Sequence, residues 1–117
     1  MPGYVFRLIP PRPDFASTMS DDERRVMDAH FTYWGELLAS GQVIAVGPVD
    51  DPGGPYGIGI VLAADLPGAE AIRDGDPAMR APFGFRTEIA PMLRLVTPSG
   101  AYDAVRDAGE TGSPPGA

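Results

Sequence analysis

The segment Ser20-Asp21-Asp22-Glu23-Arg24-Arg25-Val26-Met27-Asp28-Ala29-His30-Phe31-Thr32-Tyr33-Trp34-Gly35-Glu36-Leu37-Leu38-Ala39-Ser40-Gly41 carries the signals for both ends of a helix. Ser20 with Glu23 makes a capping box, in which hydroxyl and carboxylate each satisfy one backbone donor left over at a helix start. Gly41 stands where a helix commonly turns left-handed to stop. In between, at about 100° per residue, Val26, Tyr33 and Leu37 fall on one flank of His30, and Met27, Phe31, Trp34 and Leu38 on the other. Arg25, Asp28, Thr32 and Glu36 take the opposite side. The spacing predicts a long amphipathic helix with the chain's only histidine at the centre of its apolar stripe. Burying an imidazole there costs free energy unless its ring nitrogens find partners. Two roles are open for His30: a hydrogen-bonded structural residue, or the centre of a site.

Working outward, Val5 to Ile9 alternates as a strand, with Phe6 and Leu8 on one face and Val5, Arg7 and Ile9 on the other. Pro10-Pro11-Arg12-Pro13 ends it, and Asp14 to Met19 reads as a loop. After the helix, Val43-Ile44-Ala45-Val46 is a second strand closed by Gly47-Pro48, and Asp50 to Pro55 is a turn by composition. Gly57 to Ala63 is a third strand, with Ile58, Ile60 and Leu62 on one face and Gly57, Gly59 and Val61 on the other. Two glycines on one face leave room for a close approach. Pro67 to Asp74 is a short helix capped by Asp65, and Asp76-Pro77 opens another helical turn. Phe85 to Leu95 reads as one long fourth strand. The last residues are poor in apolar side chains, and Ala101 to Ala108 has the makings of a turn or two of helix at most.

The order βαββαβ predicts an α+β, ferredoxin-like sandwich with both helices on one sheet face, spanning residues 1–97, and a flexible or loosely docked tail over 98–117. Strands two and four read as apolar on both faces, so the bare sheet face needs a cover. The expected cover is a second copy of the chain, giving a homodimer through the sheet face.

Composition narrows the function classes. The 117-residue chain has no cysteine, which excludes disulfides and thiolate chemistry. Its nine basic residues are all arginine, so no lysine Schiff base can form. The net charge of −7 and the lack of a basic patch argue against nucleic acid. No apolar run suits a membrane span, and no signal-peptide pattern opens the chain, so a cytoplasmic protein is expected. The bias toward Ala, Gly, Pro, Asp and Arg resembles that of GC-rich bacterial genomes. A single histidine without clustered carboxylates argues against a metal site, and Gly57-Ile58-Gly59 is no nucleotide loop. No cofactor is expected.

Three segments together resemble a known family: His30 to Leu38 with Gly41; Val43-Ile44-Ala45-Val46-Gly47-Pro48; and Gly75-Asp76-Pro77. They resemble the YCII-related (YciI-like) family of small bacterial proteins, over about Tyr4 to Leu95. Pro91-Met92 is similar to the Pro-aromatic pair that ends the family's last strand, with Met92 replacing the aromatic. The resemblance implies a dimeric α+β barrel, related in architecture to muconolactone isomerase, and an active site centred on a His-Asp dyad. Residue by residue, that dyad falls on His30 and Asp76. One branch of the family is associated with dehydrochlorination of a hydroxylated aromatic. The arm Pro10 to Met19 is longer than in the shortest members and reshapes a pocket entrance.

The dyad makes physical sense on its own. A carboxylate on one ring nitrogen sets the tautomer and leaves the other nitrogen to move a proton. The expectation is a pocket between the long helix and the sheet, with His30 transferring the proton, Asp76 orienting it and Gly47-Pro48 in the wall. The chemistry would be cofactor-free, lyase or isomerase in type, on a small metabolite. Trp34 and Arg7 are further substrate-binding candidates. Each has a plainer reading: Trp34 as core, Arg7 reaching solvent along its stem, Asp76 as a helix cap. The alternative for the whole chain is a non-enzymatic dimeric module binding a small molecule or a protein, with His30 and Asp76 a structural pair.

Overall fold

Tyr4, Phe6 and Leu8 alternate inward along β1 (Gly3–Ile9), the strand at the heart of the sheet. The structure, a computed structural model, describes residues 1–104. After β1 come α1 (Phe15–Thr18), α2 (Asp21–Ala39), β2 (Val43–Val49), β3 (Tyr56–Leu62), α3 (Leu66–Gly75), α4 (Pro77–Arg80), β4 (Arg86–Pro91), β5 (Arg94–Thr97) and β6 (Gly100–Asp103). The main sheet has the order β2-β3-β1-β4 with every neighbouring pair antiparallel. This is the α+β, ferredoxin-like arrangement expected from the sequence.

The capping box forms as read: Ser20 Oγ accepts from the Glu23 N–H at 3.1 Å, and the Ser20 N–H donates to Glu23 Oε1 at 2.8 Å. Gly41 ends α2 with φ of 83°, the left-handed value that favours glycine.

Two rows of side chains cross the helix-facing side of the sheet. One runs Val46, Gly59, Phe6, Ile89; the next runs Pro48, Gly57, Leu8, Thr87. Trp34 of α2 packs over the first row, edge-on to Phe6 with ring centroids 5.6 Å apart. With Tyr4, Val43, Val61, Ala69 and Ile72 it forms the main core. A second cluster, Leu8, Phe15, Ala78 and Phe85, closes the other end.

Four local readings are corrected. Asp14 to Met19 contains α1 rather than a plain loop. It is anchored by Phe15, which is buried edge-to-face on Phe85, centroids 5.0 Å apart. β2 continues through Gly47-Pro48 to Val49, since an edge strand tolerates proline's missing donor. The long fourth strand is two: β4 ends at Pro91, and β5 pairs instead with β6 through a turn at Gly100 (φ 157°). Gly100–Asp103 is therefore strand, not helix; residues 105–108 of that reading lie outside the described residues.

The outer face of the main sheet carries Val5, Arg7, Ile58, Ile60 and Glu88, and no described helix lies across it. Arg86 and Glu88 make the β4 part polar, against the expectation of an apolar strand; in the β1–β3 part Val5, Ile58 and Ile60 form an apolar stretch beside the charged Arg7.

Candidate active site

His30 projects from the third turn of α2, and Trp34 follows one turn later on the same face, so both point toward the sheet. Asp76 occupies the junction of α3 and α4. Its extended backbone (φ −69°, ψ 126°) and the following Pro77 make it the N-cap of α4, where its Oδ1 accepts from the Ala78 N–H at 2.9 Å. Asp76 is also among the most deeply buried side chains, 2 % exposed.

A charged group so buried needs several partners. Asp76 has them. His30 Nδ1 lies 2.9 Å from each of its carboxylate oxygens, and Trp34 Nε1 donates to Oδ2 at 2.7 Å. A carboxylate only accepts, so Nδ1 carries the imidazole hydrogen and Nε2 of the neutral ring carries the lone pair. Nε2 has no hydrogen-bond partner among the described residues, yet no described buried polar side-chain atom is left unsatisfied. Nε2 is therefore open to solvent, and the space it meets is a cavity.

That cavity, of about 400 Å³, lies between α2, the helix-facing side of the sheet and the arm before α2. Volumes of this order, with mostly apolar walls and a few polar groups, suit small-molecule ligands. His30, Phe31, Trp34 and Gly35 form its helix side, Gly57 and Pro48 its floor, and Phe15 and Met19 its arm side. Phe31, 61 % exposed, stands at the rim.

The arm is tied down at one point. Arg12 forms a two-pronged pair with Glu23, at 2.9 and 2.8 Å, and also donates to the Thr18 carbonyl at 2.8 Å and to Thr18 Oγ1 at 2.7 Å. The Arg12 guanidinium, and after it the Ser20 N–H, hold the Glu23 carboxyl down at about 2. Tyr33, by contrast, is committed elsewhere: its hydroxyl donates to the Ile72 carbonyl at 2.7 Å, and burial, then the charge of Asp76, push it up.

His30, Asp76, Trp34, Gly47 and Pro48, all expected at the site, line the cavity together. Arg7 does not. It faces the outer side of the sheet, paired with Glu88 at 3.2 Å and lying over the Tyr56 ring at 4.4 Å from its centroid, because strand alternation sets it opposite Phe6 and Leu8. Sequence reasoning missed Phe15 and Met19, which come from the arm read as a loop, and the Trp34–Asp76 bond. The paired glycines were the available signal. Trp34 fills the space over Gly59, where an added Cβ would come 2.8 Å from the indole, and the cavity occupies the space over Gly57.

The family model for the YCII-related domain matches residues 4–93. The chain belongs to the YCII-related family. No curated protein matches the sequence. The YCII-related span includes both His30 and Asp76 and stops before β5, so the β5–β6 hairpin lies beyond it. Among the described residues, the YCII-related domain holds no group of three or more potential metal ligands and no helix long and apolar enough to cross a membrane.

Proposed function

We propose that this YCII-related domain is a cofactor-free proton-transfer enzyme of the lyase or isomerase type, acting on a small metabolite bound in the cavity. The observation that carries this reading is the division of labour on His30: Nδ1 is anchored on Asp76, while Nε2 is unpartnered and faces the cavity. Nε2 accepts a proton from an acidified carbon of the substrate, and Asp76 holds the imidazolium that forms. Returning the proton at another carbon completes an isomerisation; departure of a leaving group, which takes the electron pair, completes an elimination. Gly47 and Pro48 serve as wall, Trp34 as a fixed surface beside the reacting ring.

The test is solvent-deuterium exchange and turnover on a panel of carbonyl-bearing metabolites, lactones and hydroxylated aromatics, with wild type against His30→Ala. General-base removal should lower the rate by about 10²–10⁴-fold. An unchanged rate on any compound the wild type converts would sink the proposal.

A second reading has its own support: Asp76 also caps α4 and holds Trp34, so a structural pair in a ligand-binding module is consistent with two of its three bonds. Under that reading His30→Ala lowers stability and leaves ligand affinity unaltered. We propose further that the apolar stretch of the outer face, with Val5, Ile58 and Ile60, is buried in a homodimer.

A further inference from the structure

No arginine lines the cavity, and the chain has no lysine. The one charged group in its walls, Asp76, is negative, and its oxygens are taken up by His30, Trp34 and the Ala78 N–H. The other polar side chains are few. Trp34 Nε1–H is already committed to Asp76, Thr87 Oγ1 is turned to Met79 Sδ at 3.1 Å, and Tyr56, whose ring lies against the Arg7 guanidinium, is the remaining one. A carboxylate or phosphate entering this space would lose its hydration, meet no arginine or lysine, and approach a histidine already paired with the Asp76 carboxylate.

One position in the floor of the cavity is open. Gly57 lies on the helix-facing side of β3, between Pro48 and Leu8. Its backbone is not in the left-handed region, and an added Cβ would meet Leu8 Cβ at 3.5 Å, an ordinary contact. Nothing in the backbone or the packing requires glycine there, and glycine weakens a strand. What its missing side chain leaves is open space in the cavity that His30 also lines. Gly59, two residues on, is different, since there Trp34 occupies the space.

We infer that the site takes an uncharged, largely apolar molecule that offers one polar hydrogen to His30 Nε2, and that Gly57 sets the size it admits. This rests on the reading of the cavity as the substrate site, but concerns what binds there and not whether it reacts.

Trp34 is the only tryptophan, so its indole N–H gives a single resonance beside the cavity. The experiment titrates 15N-labelled protein at neutral pH with 2-naphthol and with 2-naphthoate, a neutral and an anionic version of one ring system. The expected result is a saturable shift with 2-naphthol, at least ~10-fold tighter than with 2-naphthoate, and loss of at least ~10-fold in Gly57→Val with its circular dichroism unchanged. Gly57→Ala should fall between the two, and decides the point if the valine variant fails to fold. Equal or tighter binding of 2-naphthoate, or no shift with either ring, overturns the ligand class. Wild-type affinity in the glycine variants overturns the role of Gly57. Because binding is read without turnover, an inactive protein that still prefers 2-naphthol would count against the catalytic reading alone. An active, His30-dependent enzyme indifferent to charge would count against this inference alone.

Discussion

Trp34 Nε1 donates to Asp76 Oδ2 at 2.7 Å, so the carboxylate that holds His30 also holds the indole one helical turn away. One acidic side chain, reached across 46 residues of sequence from His30, thus pins two rings of α2 and starts α4. The pairing removes rotational freedom from both rings, which is what a positioned base beside a rigid wall requires.

Substitutions at Asp76 separate its roles. Asp76→Ala deprives the Trp34 N–H and the α4 start of their acceptor and should cost roughly 3–5 kcal/mol, the range for breaking a buried charged pair. Asp76→Asn keeps one acceptor oxygen, leaves one donor unpaired and should cost about 1–3 kcal/mol. His30→Ala leaves both other bonds of Asp76 in place and should cost least. Denaturant melts of the three variants check the order; His30→Ala as the most damaging would contradict it.

Gly59→Ala should destabilise by about 1–3 kcal/mol through overpacking, since the new Cβ would fall 2.8 Å from Trp34 Cζ3. The indole must shift, and its hydrogen bond to Asp76 with it. A lower Tm together with a displaced Trp34 N–H resonance is expected; Gly59→Ala with wild-type values for both would show that the ring does not rest on Gly59.

Acid should loosen the arm. The Glu23 carboxyl is held at about 2, below its ordinary 4.5, so the folded state binds this proton less readily than the unfolded chain. The contribution of the Arg12–Glu23 pair is then fully present above about pH 4.5 and is lost as pH falls toward 2. Glu23→Gln should lower stability at neutral pH and flatten the acid limb of the stability curve in that window. Equal acid slopes for wild type and Glu23→Gln would rule the latch out as the cause.

A charge placed on the outer sheet face should separate the proposed homodimer. Ile60 stands between Val5 of β1 and Ala45 of β2. Ile60→Glu is expected to yield a folded monomer by light scattering and circular dichroism, because burying an unpaired carboxylate in the interface is strongly unfavourable. A wild type that is already monomeric would dispose of the dimer.

Much of this was legible in the sequence where the chemistry is local. The Ser20–Glu23 capping box, the stripe around His30, the Asp65 and Asp76 caps and the facing of Gly57 and Gly59 follow from spacing alone. The ends of strands were harder. Pro91 and the Pro98-Ser99-Gly100 turn are visible as residues, but whether β5 continues β4 or folds back on β6 depends on pairing energies between distant segments. The arm was illegible for a similar reason: Phe15 is ordered by Phe85, and Arg12 by Glu23, neither of them a neighbour in sequence. His30 and Asp76 were brought together by family resemblance. The arrangement of donors that makes Nε2 the free nitrogen needed coordinates.

The most direct test of the site is the tautomer of His30, read from the side-chain nitrogen shifts of 15N-labelled protein; as the only histidine, it gives one unambiguous pair of signals. In the neutral ring, Nδ1 should carry the hydrogen and Nε2 the lone pair, with Nε2 the nitrogen that shifts when a ligand enters the cavity. A hydrogen on Nε2 in the neutral ring would contradict the arrangement, because the nitrogen facing the substrate would then be a donor with no capacity to take a proton.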